Sequence, residues 1–166
     1  MIYPPELLTS DHVVSGFDCG EHSLDVWLAR KAQKANQLGH SARTYVVCAE
    51  DHQVIGYYAL ASGCIQHCDA PSKVRRNMPD PIPVIILARL AVDLRHKGKK
   101  IGPGLLRDAL LRATNVASEI GVRAVIVHAL NEKARTFYLK YGFYDSPSSE
   151  YTMMVTIPEI ERELKQ

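Results

Sequence analysis

The stretch VIILARLAVDLRHKGKKIGPGLL, Val84 to Leu106, decides how this chain is built. Val84 to Val92 is almost continuously apolar, the pattern of a central strand buried on both faces. Leu105, Leu106, Ala109, Leu110, Ala113, Ala117 and Ile120 then fall on one helical stripe, which predicts a helix over Leu105 to Ile120 stopped by Gly121. Between strand and helix lie three glycines and four Lys/Arg side chains. Open α/β sheets bind ligands at the carboxyl ends of their strands, where this loop sits. A helix N-terminus offers unpaired amides and a partial positive charge, a natural seat for phosphate. Gly98, Gly102 and Gly104 give the backbone freedom to approach such a group. Pro103 is tolerated in a first turn, and Lys97, Lys99 and Lys100 add charge.

Outward from this unit, RAVIVHAL reads as a second buried strand, NEKARTFYLKYGF as a short helix closed by Gly142, and YTMMVTI as a last strand. PEIERELKQ is an amphipathic tail. Upstream, CGEHSLDVWLARKAQKANQLG carries Leu24, Trp27, Leu28, Ala32 and Ala35 at helical intervals and stops at Gly39. RTYVVCAE and QVIGYYALASGCIQ read as two strands joined by a tight turn at Asp51-His52. Lys73 to Pro83, with three prolines, reads as a loop. No repeat or linker interrupts residues 1–166, so the expectation is a single α/β domain with a mixed sheet.

The 166 residues suffice for one sizeable core, and 46% hydrophobic with 23% charged residues is ordinary globular composition. No apolar run approaches the roughly 20 residues that span a bilayer, and MIYPPELLTSDH lacks the features of a signal peptide. A cytoplasmic protein with no membrane contact is expected. Cys19, Cys48, Cys64 and Cys68 then read as buried or free thiols. Cys64, His67 and Cys68 match no zinc spacing, so no metal is expected. Net charge is +2, yet Lys73 to Arg112 holds ten Lys/Arg against three Asp/Glu. Such asymmetry fits a polyanionic partner or a phosphate-bearing ligand, and equally a solvated basic face.

At KGKKIG (Lys97 to Gly102) the sequence resembles the GNAT acetyltransferases, whose loop Arg/Gln-x-x-Gly-x-Gly/Ala holds the pyrophosphate of acetyl-CoA. Lys97 stands for the Arg or Gln, Lys100 for the first glycine, and Gly102 fits. LARLAVD, HALNEKARTFYLKYGF, SGFDCGEHSLDVWL, NMPDPIPV and GYYALASG are together similar to the TacT-like toxins of bacterial toxin–antitoxin pairs, over nearly the whole chain. The most specific piece is Asn131, Ala134, Phe137, Tyr138, Gly142 and Phe143. The resemblance implies a GNAT fold: a mixed, mostly antiparallel sheet with a splayed central strand pair, flanked by helices.

It also implies direct transfer of acetyl from acetyl-CoA to an amine, with no enzyme nucleophile. The oxyanion needs a donor and the leaving thiolate a proton. The resemblance assigns donor amides to Leu90, Ala91 and Val92, and the general acid to Tyr138. It assigns cofactor contacts to Lys97, Gly98, Lys99, Lys100, Ile101, Gly102, Pro103 and Gly104, and to Asn131, Phe137 and Tyr141. Read without the family, Tyr138 is a core aromatic, Asn131 a helix cap, and Leu90 and Val92 core residues. No carboxylate stands out as a general base. That suits an amine already partly neutral near pH 7, as an α-amine titrating near ~8 is. The implied substrate is the α-amine of aminoacyl-tRNA, whose acetylation blocks translation. Lys73, Arg75, Arg76 and Arg89, with cations near Arg95, would then grip tRNA phosphates. The implied partners are a small antitoxin of ribbon-helix-helix type, a second copy of the chain in a homodimer, and DNA only through the antitoxin complex. Two other readings stay open: a GNAT enzyme acting on a small amine or a protein, and a non-catalytic binding module in which Lys100 has abolished cofactor use.

Overall fold

The computed structural model describes residues 1–166. In chain order its elements are β1 (Glu6–Leu7), α1 (His22–Arg30), α2 (Ala32–Lys34), β2 (Arg43–Cys48), β3 (Val54–Ile65), α3 (Ser72–Arg75), β4 (Ile82–Val92), α4 (Ile101–Ala117), β5 (Ala124–His128), α5 (Glu132–Lys140), β6 (Tyr144–Asp145), β7 (Thr152–Thr156) and α6 (Ile157–Leu164). The strands hydrogen-bond in the order β1-β2-β3-β4-β5-β7-β6. The β4–β5 pair is parallel, while β1–β2, β2–β3, β5–β7 and β6–β7 are antiparallel. The expected mixed, mostly antiparallel sheet flanked by helices is therefore found. Two compact units divide the chain, Met1–Ala61 with Ala88–Ala109 and Ser62–Leu87 with Leu110–Gln166.

In the first unit, β2 and β3 form the expected hairpin, with Tyr45 opposite Tyr58 and their rings stacked 5.2 Å apart. Asp51 and His52 both take positive φ, 59° each, as a tight turn demands. Leu28, Ala32, Val46, Val54, Tyr57 and Ala91 share one buried cluster. The helix expected from Cys19 to Gly39 is broken. α1 ends at Arg30, Lys31 departs from helical angles, and Ala35–Gly39 is a wide π-type turn. The cause is Asn36. Its amide donates to the Leu8 and Thr44 carbonyls and accepts from Thr44 N at 2.9 Å, so the turn is tied to β2 instead of completing a regular helix. Two-residue β1, too short to register as a pattern, pairs with β2 through Glu6–Val46 and Leu7–Tyr45.

In the second unit, β5 lies between β4 and β7. Its ladder with β4 covers Val84–Leu87 against Ala124–Val127. β4 runs on past that ladder to Val92. Val74, Ile82, Val84, Ala124, Ile126 and Met154 are buried together. The Lys73–Pro83 segment is less irregular than expected: Ser72–Arg75 is a helical turn, and β4 begins at Ile82. The C-terminal tail is a helix with a capping box. Thr156 Oγ1 accepts from Glu159 N, and the Glu159 carboxylate accepts from Thr156 N.

The helix expected from Leu105 to Ile120 is displaced towards its N-terminus. α4 starts at Ile101 and ends at Ala117. Gly102, Pro103 and Gly104 therefore form its first turn. Leu105, Leu106, Ala109 and Ala113 are buried as the stripe predicts, but Ile120 is 60% exposed and Gly121 lies beyond the helix. No helix is long and apolar enough to cross a membrane.

Candidate active site

On the first unit the phosphate-loop candidate is held by a carboxylate. Asp93, directly after β4, is fully buried. Its Oδ1 accepts from Arg95 N at 2.9 Å and Arg95 Nε at 3.0 Å. Its Oδ2 accepts from Arg95 Nη2 at 3.2 Å and from Asp18 N at 3.1 Å. Burial pushes this carboxyl up, but the Arg95 and Asp18 hydrogen bonds and the guanidinium charge outweigh it and hold it at about 2. The chain on either side is pinned too: Asp93 N donates to Ile55 O and Leu94 N to Asp18 O, each at 2.8 Å. Arg95 is thus paired with Asp93.

From this anchor the loop runs through exposed Lys97, Gly98, Lys99 and Lys100 into α4. Gly98 takes φ +82°, and Lys100 takes φ +62°. Lys100 occupies the left-handed conformation that glycine adopts without cost, so the lysine keeps the backbone turn that a phosphate cradle needs. Ile101 is buried and Gly104 N reaches back to Lys100 O at 3.2 Å. The first turn of α4 lies close on β3 because Gly56 has no side chain. A Cβ there would meet Leu105 Cδ1 at 3.0 Å and Ile101 Cγ2 at 3.1 Å. The Tyr58 hydroxyl, in the buried face of β3, donates to the Asp108 carboxylate one turn further along α4. Leu90 and Val92 are half-buried and Ala91 buried at the end of β4. The N-terminus of α4, three lysines and two positive-φ residues bring together positive charge and a turned backbone of the kind a diphosphate requires.

The second unit carries the predicted acid. Asn131 caps α5, its Oδ1 accepting from Ala134 N at 2.9 Å, as the capping alternative requires. Tyr138 is 8% exposed, with Phe137 and Phe143 edge-on at 5.3 and 5.4 Å. Gly142, at φ +94°, turns the chain so that Tyr141 N and Phe143 N both donate to Tyr138 O at 3.1 Å. Burial pushes the phenol well above its usual range, so it stays protonated at neutral pH, the state a proton donor needs. Phe137 and the partly exposed Tyr141 pack 5.1 Å apart.

The predicted tRNA-binding cations differ in how free they are. On the first unit Arg89 lies over the Trp27 ring at 4.2 Å, and Trp27 stacks on Tyr57. On the second, Lys73 sits 3.8 Å over Tyr144 and pairs with Glu159 at 3.4 Å, whereas Arg75 and Arg76 are exposed. A groove of ≈ 790 Å³ on the second unit, lined by residues such as Pro83, Ser118, Arg123 and Glu161, includes none of the predicted site residues.

All four cysteines are free thiols, Cys19 and Cys48 buried and Cys64 and Cys68 exposed. The His67 ring nitrogen Nε2 faces the Met78 and Pro79 carbonyls at 2.9 and 2.8 Å and braces the turn before β4. Glu6, His12 and Cys48 bring their donor atoms within 4.8 Å of one another. His12 Nδ1 accepts from Thr9 N at 2.9 Å, which leaves the proton on Nε2, 2.7 Å from Glu6. That tautomer gives no lone pair to a metal there.

Sequence reasoning misses Asp93, Gly56 and Asp108. Asp93 has a signal, a single acid ending an apolar strand. Gly56 and Asp108 act through contacts distant in sequence, and nothing local marks them.

Known proteins similar to this chain identify its family. The family model described as "Acetyltransferase (GNAT) domain" matches residues 41–145. The chain is 46% identical, over 93% of its length and 92% of the relative's, to a "tRNA-acetylating toxin" of Mycobacterium tuberculosis (strain ATCC 25618 / H37Rv). It superposes at TM-score 0.90 and 29% identity, over 99% of each chain, on "AtaT complexed with acetyl-methionyl-tRNAfMet". It superposes at 0.85 and 30% identity, over 98% of each chain, on "AtaTR bound with AcCoA". With a matched domain covering well over half its residues and a relative this similar end to end, the chain belongs to the GNAT acetyltransferase family.

Proposed function

We propose that this protein is a toxin that transfers acetyl from acetyl-CoA to the α-amine of an aminoacyl-tRNA, and so blocks translation. The observation that carries the proposal is the end-to-end likeness to a tRNA-acetylating toxin, joined to a loop that keeps its left-handed turn at Lys100. That turn favours the catalytic reading over the non-catalytic one, because the backbone keeps the conformation that glycine would hold. Residues 1–166 act as one acetyltransferase domain.

In this reading Lys97, Gly98, Lys99, Lys100, Ile101, Gly102, Pro103 and Gly104 hold the diphosphate, with Asn131, Phe137 and Tyr141 as further cofactor contacts. Backbone amides of Leu90, Ala91 and Val92 face the oxygen on which charge develops. The amine nitrogen forms the new C–N bond, the C–S bond breaks, and Tyr138 supplies the proton to the departing sulfur. A protonated phenol can do this, and burial keeps Tyr138 protonated. Arg75, Arg76 and Arg89 bind tRNA phosphates, with Lys73 contributing once its pairing with Glu159 opens. Arg89 is the most preorganised of them, its guanidinium held against Trp27.

The same reading includes an antitoxin of ribbon-helix-helix type that neutralises the protein, contact with DNA through that complex alone, a homodimer and a cytoplasmic site of action. The test is incubation with labelled acetyl-CoA and total aminoacylated tRNA. Label on the aminoacyl group supports the proposal. Label confined to small amines or proteins favours the alternative GNAT reading.

A further inference from the structure

The transfer needs an acceptor for the proton that the attacking nitrogen must lose, and no carboxylate in the sequence offers itself. The second unit supplies a different group. β5 ends at His128, and its parallel ladder with β4 ends one residue earlier, at Leu87 and Val127. His128 is therefore the first β5 residue beyond the point where the two strands stop pairing. It is exposed, while Val127 and Ala129 on either side are buried. The carboxyl end of a parallel strand is where α/β sheets place their chemistry.

Its side chain is anchored on β7. His128 faces Thr152 directly across the β5–β7 ladder. The imidazole Nδ1 lies 3.1 Å from Thr152 Oγ1, and that hydroxyl lies 2.9 Å from Ser149 Oγ. Thr152 is buried, and its backbone is fixed because Thr152 O accepts from Ser146 N at 2.8 Å. These distances permit two orders, and the one running Nδ1–H to Thr152 Oγ1 and Thr152 O–H to Ser149 Oγ leaves the lone pair of the ring on Nε2; the base role below requires that order. Among the charged groups of neighbouring elements, two carboxylates are paired with an arginine. Asp145 on β6 and Glu132 on α5 both bind Arg135, at 2.6 and 3.1 Å. Lys133 on α5 and Glu150 in the β6–β7 turn are exposed, Tyr151 is half-buried, and the β4 residues of the ladder carry no titratable group.

We propose that His128 is the general base of the reaction, its Nε2 taking the proton from the substrate nitrogen as the C–N bond forms. This rests on the acetyl-transfer reading above. The proton balance closes: one proton passes from nitrogen to His128, one from Tyr138 to the leaving sulfur, and solvent exchange resets both. A neutral imidazole carries one basic nitrogen, the feature a general base needs. Thr152 is a positioning residue that fixes the tautomer.

The test uses the full chain, acetyl-CoA and an aminoacyl-tRNA that the wild-type protein acetylates. If the wild type acetylates none, the functional reading fails and not this inference alone. Given a working substrate, H128Q is expected to lower kcat about 10²-fold near pH 7, with acetyl-CoA affinity by calorimetry within twofold of wild type. Free imidazole is expected to restore part of the rate of H128A, which a merely structural role would not allow. T152V is expected to lose less, about tenfold, with an altered acid limb in its pH–rate profile. A kcat for H128Q within threefold of wild type overturns the inference. So does a loss in H128A that imidazole leaves unchanged, or one accompanied by weakened acetyl-CoA binding.

Discussion

A single lysine carries the most information about the cofactor loop. Lys100 stands at φ +62°, a conformation that costs an L-residue roughly 1–2 kcal/mol and glycine almost nothing. Lys100→Gly is expected to raise the melting temperature by about 2–4 °C, with acetyl-CoA affinity preserved or improved in calorimetry. A large loss of affinity would instead identify the Lys100 ammonium as a phosphate ligand. Tyr138 poses the complementary question. Its ring is fixed by Phe137, Phe143 and the Gly142 turn, so removal of one oxygen leaves the packing in place. Tyr138→Phe is expected to cut turnover by about 10²-fold or more while acetyl-CoA still binds. Undiminished acetylation would remove it from the role of acid.

Among the elements, the β4–loop–α4 unit is both the most legible in sequence and the most instructive where sequence and structure differ. The apolar run of β4 and the stripe of α4 are plain, because burial on both faces and a helical period each leave a pattern. The start of α4 is not plain. Gly102, Pro103 and Gly104 look like loop residues, yet Pro103 is compatible with a first turn and the close seat on Gly56 draws that turn into the helix. The π-type turn that ends the first helical segment is equally hidden, because it is tied down by Asn36 finding partners on Leu8 and Thr44. Conversely, the cap at Asn131 and the stop at Gly142 are local signals, legible without knowledge of the rest of the fold.

Two elements also yield tests. A valine at Gly56 would press on Ile101 and Leu105, so Gly56→Val is expected to cost about 1–3 kcal/mol and to weaken acetyl-CoA binding at least tenfold. The Asp93 clasp gives a pH signature. Its folded-state carboxyl lies at about 2, below the unfolded value of about 3.9. Its contribution is therefore complete above roughly pH 5 and is lost as the pH falls towards 2. Urea midpoints followed from pH 5 to pH 2.5 should fall more steeply in the wild-type protein than in Asp93→Asn. Parallel curves would show that the clasp contributes nothing.

For the molecule as a whole, the charge distribution is the property that bears on substrate. The segment from Lys73 to Arg112 carries ten of the chain's 20 Lys/Arg and three of its 18 Asp/Glu. Sequence alone leaves this excess open between a solvated face and a polyanion site. The side chains separate its members: Arg95 is held by Asp93 and Lys73 by Glu159, while Arg75 and Arg76 are exposed. Reversing Arg75 and Arg76 together to Glu is expected to raise KM for aminoacyl-tRNA about tenfold and to flatten its salt dependence, by about 0.7–0.9 in log–log slope for each phosphate no longer neutralised, with kcat little changed. An enzyme for small amines would show no such response.

The decisive measurement is mass analysis of the terminal aminoacyl-adenosine, released by ribonuclease after total aminoacylated tRNA has been incubated with the protein and isotope-labelled acetyl-CoA. The proposed function predicts one or more N-acetyl-aminoacyl-adenosines bearing the label, formed by the wild type and strongly reduced with Tyr138→Phe. Unlabelled aminoacyl-adenosine throughout, with the acetyl group recovered on proteins or free amines instead, would contradict it.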